Sequence, residues 1–253
     1  MKIRISAVNY LNTLPFVKGI QGSDLVNHIQ LELDTPDVCA RKLIDGEVDI
    51  GLVPVAVLSE VQNAHIISDF CIGCDGPVLS VCLFAEQPVN QLENVFLDYQ
   101  SRTSVELLKI LLNEHWNVRP RLLRAKPGYE NQIEGKNGGL VIGDRTFNLH
   151  GKYPYAYDLG TAWKEYTGLP FVFALWVSNH APDSGFIVEF NRVLKQGIAR
   201  IPQIAAQLNL QHQFNALNYF TNNISYIFDE QKNNALDLFL EKIHLQHNAT
   251  FRI

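Results

Sequence analysis

The sequence predicts an α/β protein of two lobes, and three observations lead to this fold class. Short apolar strands alternate with segments of helical periodicity, a pattern that favours mostly parallel sheets. The 253 residues are enough for two lobes of about 100 to 150 residues each. Two apolar segments, at 84–88 and 171–177, lie where the chain would cross from one lobe to the other.

The predicted strands are short and apolar, and the first of them alternates apolar with polar side chains at Ile3 and Ile5. In chain order they lie at 3–8, 29–33, 48–53, 77–84, 95–97, 140–142 and 169–177. The predicted helices follow a polar cap or a helix-starting proline, or carry apolar residues at intervals of three and four. They begin after residues 14, 35, 104, 160, 185 and 234. Gly, Tyr and Pro residues predict a loop at 151–160.

The order of these elements predicts that the middle of the chain is inserted into the first lobe. Lobe 1 would comprise residues 1–86 and 177–253, and lobe 2 would comprise residues 87–176. The two crossovers would be hinge strands. A ligand cleft would then lie between the lobes, walled by strand-to-helix turns.

Charge and hydropathy restrict the possible partners. Lys and Arg number 21 against 26 Asp and Glu, a net charge of -5, and no basic cluster stands out, so we do not expect nucleic acid to bind. No stretch approaches the roughly 20 apolar residues of a membrane span. The chain turns polar by Asn9 without the apolar segment of a signal peptide, so we expect a cytoplasmic protein. The oligomeric state stays open.

Common cofactor and metal motifs do not occur in the sequence. The patterns G-x-G-x-x-G after a strand, G-x-x-x-x-G-K-[ST] and H-E-x-x-H are all missing. Cys71 and Cys74 have the C-x-x-C spacing of a zinc half-site or a redox pair. No second cysteine pair or His-x-x-x-His completes a metal site, and Cys39 and Cys82 lie in apolar runs. We therefore expect neither a metal nor a cofactor.

Three turns place hydroxyl, amide or guanidinium groups at predicted helix starts, at 9–13, 101–104 and 143–146. Free backbone N–H groups and the helix dipole favour an anion at such positions. For each turn taken alone, simple helix capping is the alternative. Three such turns around one cleft favour a small bound anion.

Ser80 is the second candidate, a hydroxyl centred in an apolar predicted strand. It either contributes to the site or is a strand serine satisfied by neighbouring backbone. A hydrolase triad is not supported, because no G-x-S-x-G surrounds Ser80 and neither His65 nor His115 comes with the motif of a base partner.

Two segments are specific enough to suggest a family: Val8-Asn-Tyr-Leu-Asn-Thr-Leu-Pro-Phe16 and Thr167-Gly-Leu-Pro-Phe-Val-Phe-Ala174. Together with 46–54, 76–81, 141–144, 158–160 and Trp163, they resemble the chorismate dehydratases of the futalosine route to menaquinone. The resemblance covers essentially the whole chain. It implies the fold of type II periplasmic solute-binding proteins.

The resemblance implies conversion of chorismate, a dicarboxylate, into 3-[(1-carboxyvinyl)oxy]benzoate and water, without metal or cofactor. No motif residue is an evident base, so our hypothesis is that the substrate's enolpyruvyl carboxylate takes the proton. Asn12 would hold this carboxylate, and Ser80 would contact the substrate near the reacting ring, so that catalysis is chiefly orientation and desolvation. The other predicted substrate-binding residues are Tyr10, Thr13, Ser101, Thr103, Ser104, Gly143 and Asp144.

Two positions keep alternative roles. Asp144 fits the family motif, but it could equally cap a helix. Arg145, which stands where the family would have a smaller residue, could pair with a substrate carboxylate or face solvent.

Three other functions fit parts of the pattern. A non-catalytic binding protein for a small carboxylate shares the fold, although it would normally be exported. The related enzyme of the same pathway that releases dihydroxynaphthoate has Pro and Cys before Asn-Asp at its first turn, unlike Asn9-Tyr-Leu-Asn12. A regulatory ligand-binding domain is the third, but no DNA-binding segment precedes it.

Overall fold

The structure, a computed structural model, describes residues 2–208 and 214–250. Its strands are β1 (Ile3–Val8), β2 (Ile29–Asp34), β3 (Ile50–Pro54), β4 (His65–Cys74), β5 (Val81–Ala85), β6 (Asn94–Leu97), β7 (Arg121–Arg124), β8 (Asn137–Ile142), β9 (Tyr155–Asp158), β10 (Phe171–Ser178) and β11 (Ser225–Ile227). Its α-helices are α1 (Leu14–Gln21), α2 (Pro36–Ile44), α3 (Thr103–Ile110), α4 (Leu159–Thr167), α5 (Ser184–Ala199), α6 (Ile201–Gln207), α7 (Ala216–Asn218) and α8 (Glu230–Thr250).

The chain divides into two compact units. The first unit comprises Met1–Gly73 and Val172–Asp229, and the second comprises Cys74–Phe171 and Glu230–Ile253. This division differs from the boundaries expected from the sequence, because residues 74–86 and 230–253 fall in the second unit and residues 172–176 fall in the first. Helix α8 belongs there since its Phe239 packs edge-on against Trp163 and Phe171, at centroid distances of 6.0 and 4.9 Å.

The first sheet has six strands in the order β11-β4-β10-β3-β1-β2. It is mixed, since β1 runs parallel to β2 and β3 while β10 is antiparallel to β3. The register places Val8 beside Asp34, so the carboxyl ends of β1 and β2 lie at one edge of the sheet. The backbone N–H of Asn9 extends this pairing by donating to Asp34 O at 2.8 Å. This hydrogen bond fixes the backbone at Asn9, where the turn after β1 begins.

Helix α1 is held against α5 through two glycines. A Cβ added at Gly197 would lie 1.9 Å from Pro15 O and 3.0 Å from Gly19 Cα, and a Cβ at Gly19 would lie 2.2 Å from Val193 O. Only residues without side chains allow the two helix backbones to come this close. Because α1 directly follows the turn at 9–13, this packing also fixes the turn.

The second sheet has five strands in the order β7-β6-β8-β5-β9. Strand β6 is parallel to β7 and β8, whereas β5 is antiparallel to both β8 and β9. The carboxyl ends of β6, β8 and β9 and the start of β5 consequently share one edge. Strand β9 corrects one expectation, because part of the predicted loop at 151–160 forms an edge strand on β5.

Candidate active site

The turn after β1 carries the predicted residues of the first unit. Residues Leu11–Thr13 form one turn of 3-10 helix, and Pro15 is the second residue of α1. Asn12 is half-buried, and its Oδ1 accepts a hydrogen bond from Thr13 Oγ1 at 3.1 Å. Tyr10 is half-buried beside it, and its carbonyl accepts from Thr13 N at 3.0 Å. The turn thus presents an amide group whose oxygen is already engaged by a neighbour.

A buried tyrosine supports this turn from the other end of the first unit. Tyr226 Oη donates to Asn12 O at 2.9 Å, and its ring meets Phe16 edge-on at 5.2 Å. Burial raises the pKa of Tyr226 well above its usual value. The phenol therefore stays protonated and keeps donating at any physiological pH. No local sequence pattern indicates this contact, because it joins residues 214 positions apart in the chain.

Ser80 does not lie where the sequence placed it. The prediction of a strand centred on Ser80 is wrong, because β5 begins only at Val81 and Ser80 belongs to the turn before it. The turn forms because the carboxylate of Asp158 captures the N–H groups of Val78 and Leu79. Ser80 is 1% exposed, and its carbonyl accepts from Gly143 N at 2.8 Å.

The turn at 101–104 forms the start of α3. Ser101 Oγ accepts from Ser104 N at 3.0 Å, and Thr103 is the first residue of the helix, not its cap. Thr103 and Ser104 are buried, with 2% and 3% exposure. Ser101 therefore caps the helix, which is the alternative role stated for this turn. The buried hydroxyls of Thr103 and Ser104 remain candidates for ligand contact.

The turn at 143–146 follows β8 and lies beside Ser80 in the second unit. Gly143 has a φ of +68°, which favours glycine, and its carbonyl accepts from Thr146 Oγ1 at 2.8 Å. Asp98, directly after β6, accepts from Ile142 N at 3.0 Å and from Gln100 N at 2.9 Å. The second unit therefore brings Ser80 and the turns at 101–104 and 143–146 together at one sheet edge, as parallel strand ends require. Asp144 is exposed there.

Arg145 is engaged within the second unit, so it does not simply face solvent. Its guanidinium pairs with Glu130 at 2.6 Å and with the buried Asp98, and it lies 5.3 Å from the ring centre of Tyr99. Two carboxylates neutralise one cation. The arrangement disfavours Arg145 as a ready partner for a substrate carboxylate.

Two carboxylates lie at this edge, the buried Asp98 and the half-buried Asp158. Burial raises the pKa of Asp98, and the charge of Arg145 and hydrogen bonds from Gln100 N and Ile142 N oppose that rise. Burial likewise raises the pKa of Asp158 against the backbone N–H groups that it accepts. Sequence reasoning assigned no role to either residue. For Asp98 the available signal was its position directly after the predicted strand 95–97. Asp158 had no such signal, because it is the last residue of β9, which lies in a predicted loop.

The four cysteines are free thiols and all are buried. Burial raises the pKa of Cys39 to about 12 and that of Cys82 well above its usual value, so neither is a reactive thiolate. Cys71 and Cys74 both lie on β4, and they form no disulfide with each other. Within 2–208 and 214–250, no group of three or more His, Cys, Asp or Glu side chains is arranged to hold a metal ion. Among the helices of this same part of the chain, none is long and apolar enough to cross a membrane.

Comparison with solved structures places the fold. The protein AF1704 from Archaeoglobus fulgidus has a TM-score of 0.74 at 16% identity, covering 97% of this chain and 98% of that chain. A Candida albicans protein described as having the generic periplasmic binding protein fold has a TM-score of 0.61 at 12% identity, covering 97% and 90%. The Escherichia coli periplasmic aliphatic sulphonate binding protein SsuA has a TM-score of 0.59 at 14% identity, covering 99% and 88%. These likenesses confirm the periplasmic-binding-protein-like fold.

Sequence comparison gives the family. The chorismate dehydratase of Thermus thermophilus is 30% identical over 219 residues, which are 78% of this chain and 78% of that protein. A family model described as menaquinone biosynthesis matches residues 3–244. The match spans both units and every turn described above, and the chain therefore belongs to the menaquinone biosynthesis family.

Proposed function

We propose that this protein is a chorismate dehydratase, a lyase that converts chorismate into 3-[(1-carboxyvinyl)oxy]benzoate and water. The observation that carries the proposal is the 30% identity to a chorismate dehydratase over 78% of both chains. The menaquinone biosynthesis model over residues 3–244 supports the same metabolic role.

The reaction is an elimination that needs no external reagent. A ring C–H bond and the neighbouring C–O bond break, the C–H electron pair becomes a ring double bond, and the hydroxyl leaves with a proton as water. The ring becomes aromatic, which supplies much of the driving force. No atom is oxidised or reduced by an outside partner, so we propose that the enzyme works without a cofactor.

Asn12 is proposed to hold the enolpyruvyl carboxylate that takes the ring proton. Because Thr13 donates to Asn12 Oδ1, the N–H bonds of Nδ2 are the donors that this side chain can offer. A carboxylate accepts hydrogen bonds and cannot donate them, so this orientation of the amide suits it. The turn is fixed by Tyr226 and by the packing of α1, which favours catalysis by orientation.

Ser80 is proposed to contact the substrate near the reacting ring. Its burial restricts water around the hydroxyl and strengthens a hydrogen bond to a reacting group. Thr103, Ser104, Ser101, Gly143 and Asp144 surround it along the same sheet edge and are proposed to bind substrate. Since Arg145 is already paired with two carboxylates, binding of a substrate carboxylate there would rest on hydroxyl and backbone N–H donors.

Loss of the chorismate ultraviolet absorbance, with the product identified by mass, tests the proposed activity. Purified protein should consume chorismate and form a product lighter by one water. Binding of chorismate without turnover would instead support the non-catalytic binding protein.

Two single substitutions test the proposed residues by steady-state kinetics. Asn12→Asp keeps the shape but sets a negative charge against the substrate carboxylate, and Ser80→Ala removes the hydroxyl. We expect each to lower kcat/KM by about 10- to 100-fold, because orientation of the reacting groups is lost.

The matched controls are Asn27→Asp, an exposed asparagine of the first unit, and Ser68→Ala, a buried serine on β4. Both should retain wild-type kcat/KM. If folded Asn12→Asp and Ser80→Ala also retain it, the assignment of these residues is wrong.

A further inference from the structure

The residue before Ser80 has an unusual backbone conformation. Leu79 has a φ of +61°, which residues with a Cβ rarely adopt, and Ser80 N donates to Val78 O at 2.7 Å. A hydrogen bond from residue i+2 to residue i around a positive φ defines a γ-turn of the strained kind. Such strain persists only where surrounding contacts impose it, and it concentrates at functional sites.

Asp158 imposes this turn from the N–H side. Its carboxylate accepts from Leu79 N at 2.7 Å and from Val78 N at 3.0 and 3.1 Å. The same carboxylate accepts from Thr161 N at 3.0 Å and so caps α4. It reaches the turn because β9 pairs with β5 and sets Asp158 beside Cys82.

His150 holds the turn from the carbonyl side. Its Nε2 lies 2.8 Å from Leu79 O, and its ring meets the buried Phe84 edge-on at 5.4 Å. A carbonyl oxygen only accepts, so Nε2 must carry the proton in this contact. Leu79 is therefore anchored at both its N–H and its C=O by side chains that lie 79 and 71 residues further along the chain.

We infer that Asp158 and His150 are positioning residues, which hold the γ-turn at Leu79 and thereby fix the hydroxyl of Ser80 for catalysis. This inference rests on the proposed function of Ser80. Neither side chain needs to touch the substrate. Their effect would pass through the backbone from 78 to 80 and fall on kcat, since a misplaced Ser80 would bind the same substrate less productively.

The rival explanation is that Asp158 is only the N-cap of α4. The chain offers a matched control in Asp183, which caps α5 by accepting from Gly185 N and Phe186 N at 2.9 and 3.1 Å. Asn caps helices about as well as Asp, so both Asp→Asn variants keep their helix starts. Only Asp158→Asn turns an N–H donor toward the N–H groups of Val78 and Leu79.

The experiment compares kcat, KM and amide hydrogen exchange in wild type, Asp158→Asn and Asp183→Asn. We expect Asp158→Asn to lower kcat by about 10- to 100-fold with KM changed by less than about 3-fold. Exchange of the Leu79 and Ser80 amides should accelerate by about 10-fold or more. Asp183→Asn should match wild type in all three measurements.

The exposed His150 provides a second variant that is safe for folding. His150→Ala should lower kcat, while His150→Gln, which can still donate to Leu79 O, should recover part of it. The control is His28→Ala, an exposed histidine of the first unit. Equal kcat in His150→Ala and His150→Gln would overturn the role of His150.

The outcomes separate this inference from the proposed function. If wild type converts chorismate and Asp158→Asn matches Asp183→Asn in kcat, the positioning role is wrong. If wild type does not convert chorismate, the proposed function fails, and the claim that Asp158 positions Ser80 for catalysis fails with it. Hydrogen exchange tests separately whether Asp158 holds the turn at Leu79. Unchanged exchange of the Leu79 and Ser80 amides in Asp158→Asn would refute that role independently of activity.

Discussion

Two carboxylates of the second unit, the buried Asp98 and the half-buried Asp158, each accept hydrogen bonds from more than one backbone segment. Asp98 accepts from Gln100 N in the turn after β6 and from Ile142 N at the end of β8, and it pairs with Arg145, while Asp158 accepts from one turn and one helix start. A buried carboxylate that lost such partners would be strongly destabilising, so each one commits the surrounding backbone to a single arrangement. The proposed catalytic role of Ser80 would depend on this fixed backbone arrangement.

Replacing Leu79 with glycine tests whether the rigidity of the turn at Leu79 matters for kcat apart from its effect on stability. The positive φ costs a residue with a Cβ about 1 to 2 kcal/mol, whereas glycine loses about 0.5 to 1 kcal/mol of chain entropy on folding. Loss of the half-buried leucine side chain costs roughly 1 kcal/mol more. The gain and the two losses nearly cancel, so we expect Leu79→Gly to change the free energy of unfolding by less than about 1 kcal/mol in urea titration. The turn would become looser, and kcat should fall. An unchanged kcat would contradict the view that a rigid turn serves catalysis.

The sequence made Asn12 and the hydroxyls of 101–104 candidates because they lie in polar segments after predicted strands, and it made Ser80 a candidate as a hydroxyl in an apolar run. It could not identify Tyr226, Asp158 or His150 as their supports. Those contacts join residues 71 to 214 positions apart, and no local pattern records them. The strained φ of Leu79 was equally invisible, since leucine in an apolar run predicts a strand.

Strand direction explains why separate turns become one site in the second unit. Parallel β6 and β8 end at the same edge, and antiparallel β5 starts there, so Ser80 and the turns after both strands meet. The sequence predicted β5, β6 and β8 from apolar runs. It missed β4, in which Ser68 and Asp69 interrupt the apolar pattern, and β9, whose tyrosines and alanine lie among turn-forming residues. It also missed the short strands β7 and β11.

The close packing of α1 against α5 predicts that replacing Gly197 with a larger residue destabilises the protein. Gly197→Ala would place a Cβ 1.9 Å from the backbone oxygen of Pro15, which no side-chain rotation relieves. We expect a loss of about 1 to 3 kcal/mol in the free energy of unfolding, and a lower kcat/KM because α1 carries the turn of Asn12. Gly185→Ala, whose Cβ would meet only Asp183 Oδ1 at 3.0 Å, should cost no stability. Equal stability of the two variants would refute the close packing of α1 against α5.

An ion pair fixes α8 within the second unit and predicts a pH dependence. Lys242 Nζ and Tyr166 Oη each lie 2.6 Å from Glu114 Oε2. Burial raises the pKa of Glu114, but these two partners outweigh it and leave the pKa below its ordinary value of 4.5. The pair therefore stabilises the fold above pH 4.5, and this stabilisation is lost as the pH falls through the lowered pKa.

Glu114→Gln should accordingly lower the free energy of unfolding at neutral pH by about 1 kcal/mol, with the difference shrinking as the solution becomes acidic below the lowered pKa. Urea unfolding across this pH range measures it. Glu165→Gln, at a carboxylate with 64% of its side chain exposed, serves as the control and should change little. A pH-independent difference for Glu114→Gln would show that packing, not charge, is responsible.

The molecule as a whole combines a widely used fold with a specific chemistry. The structural neighbours below 20% identity share only the fold, whereas the family match and the 30% identical dehydratase bear on function. In the proposed mechanism, the elimination would depend on orientation of the substrate's own carboxylate more than on a protein base. The net charge of -5 is compatible with the proposed binding of a dicarboxylate, since local hydrogen-bond donors would bind the anion without a basic surface.

The most direct test of this account is product analysis after extended incubation of extensively dialysed protein with excess chorismate and a metal chelator. The account predicts many turnovers per protein molecule, with one 3-[(1-carboxyvinyl)oxy]benzoate and one water formed for each chorismate consumed. Chorismate recovered unchanged, or turnover that returns only when a metal or cofactor is restored, would contradict it.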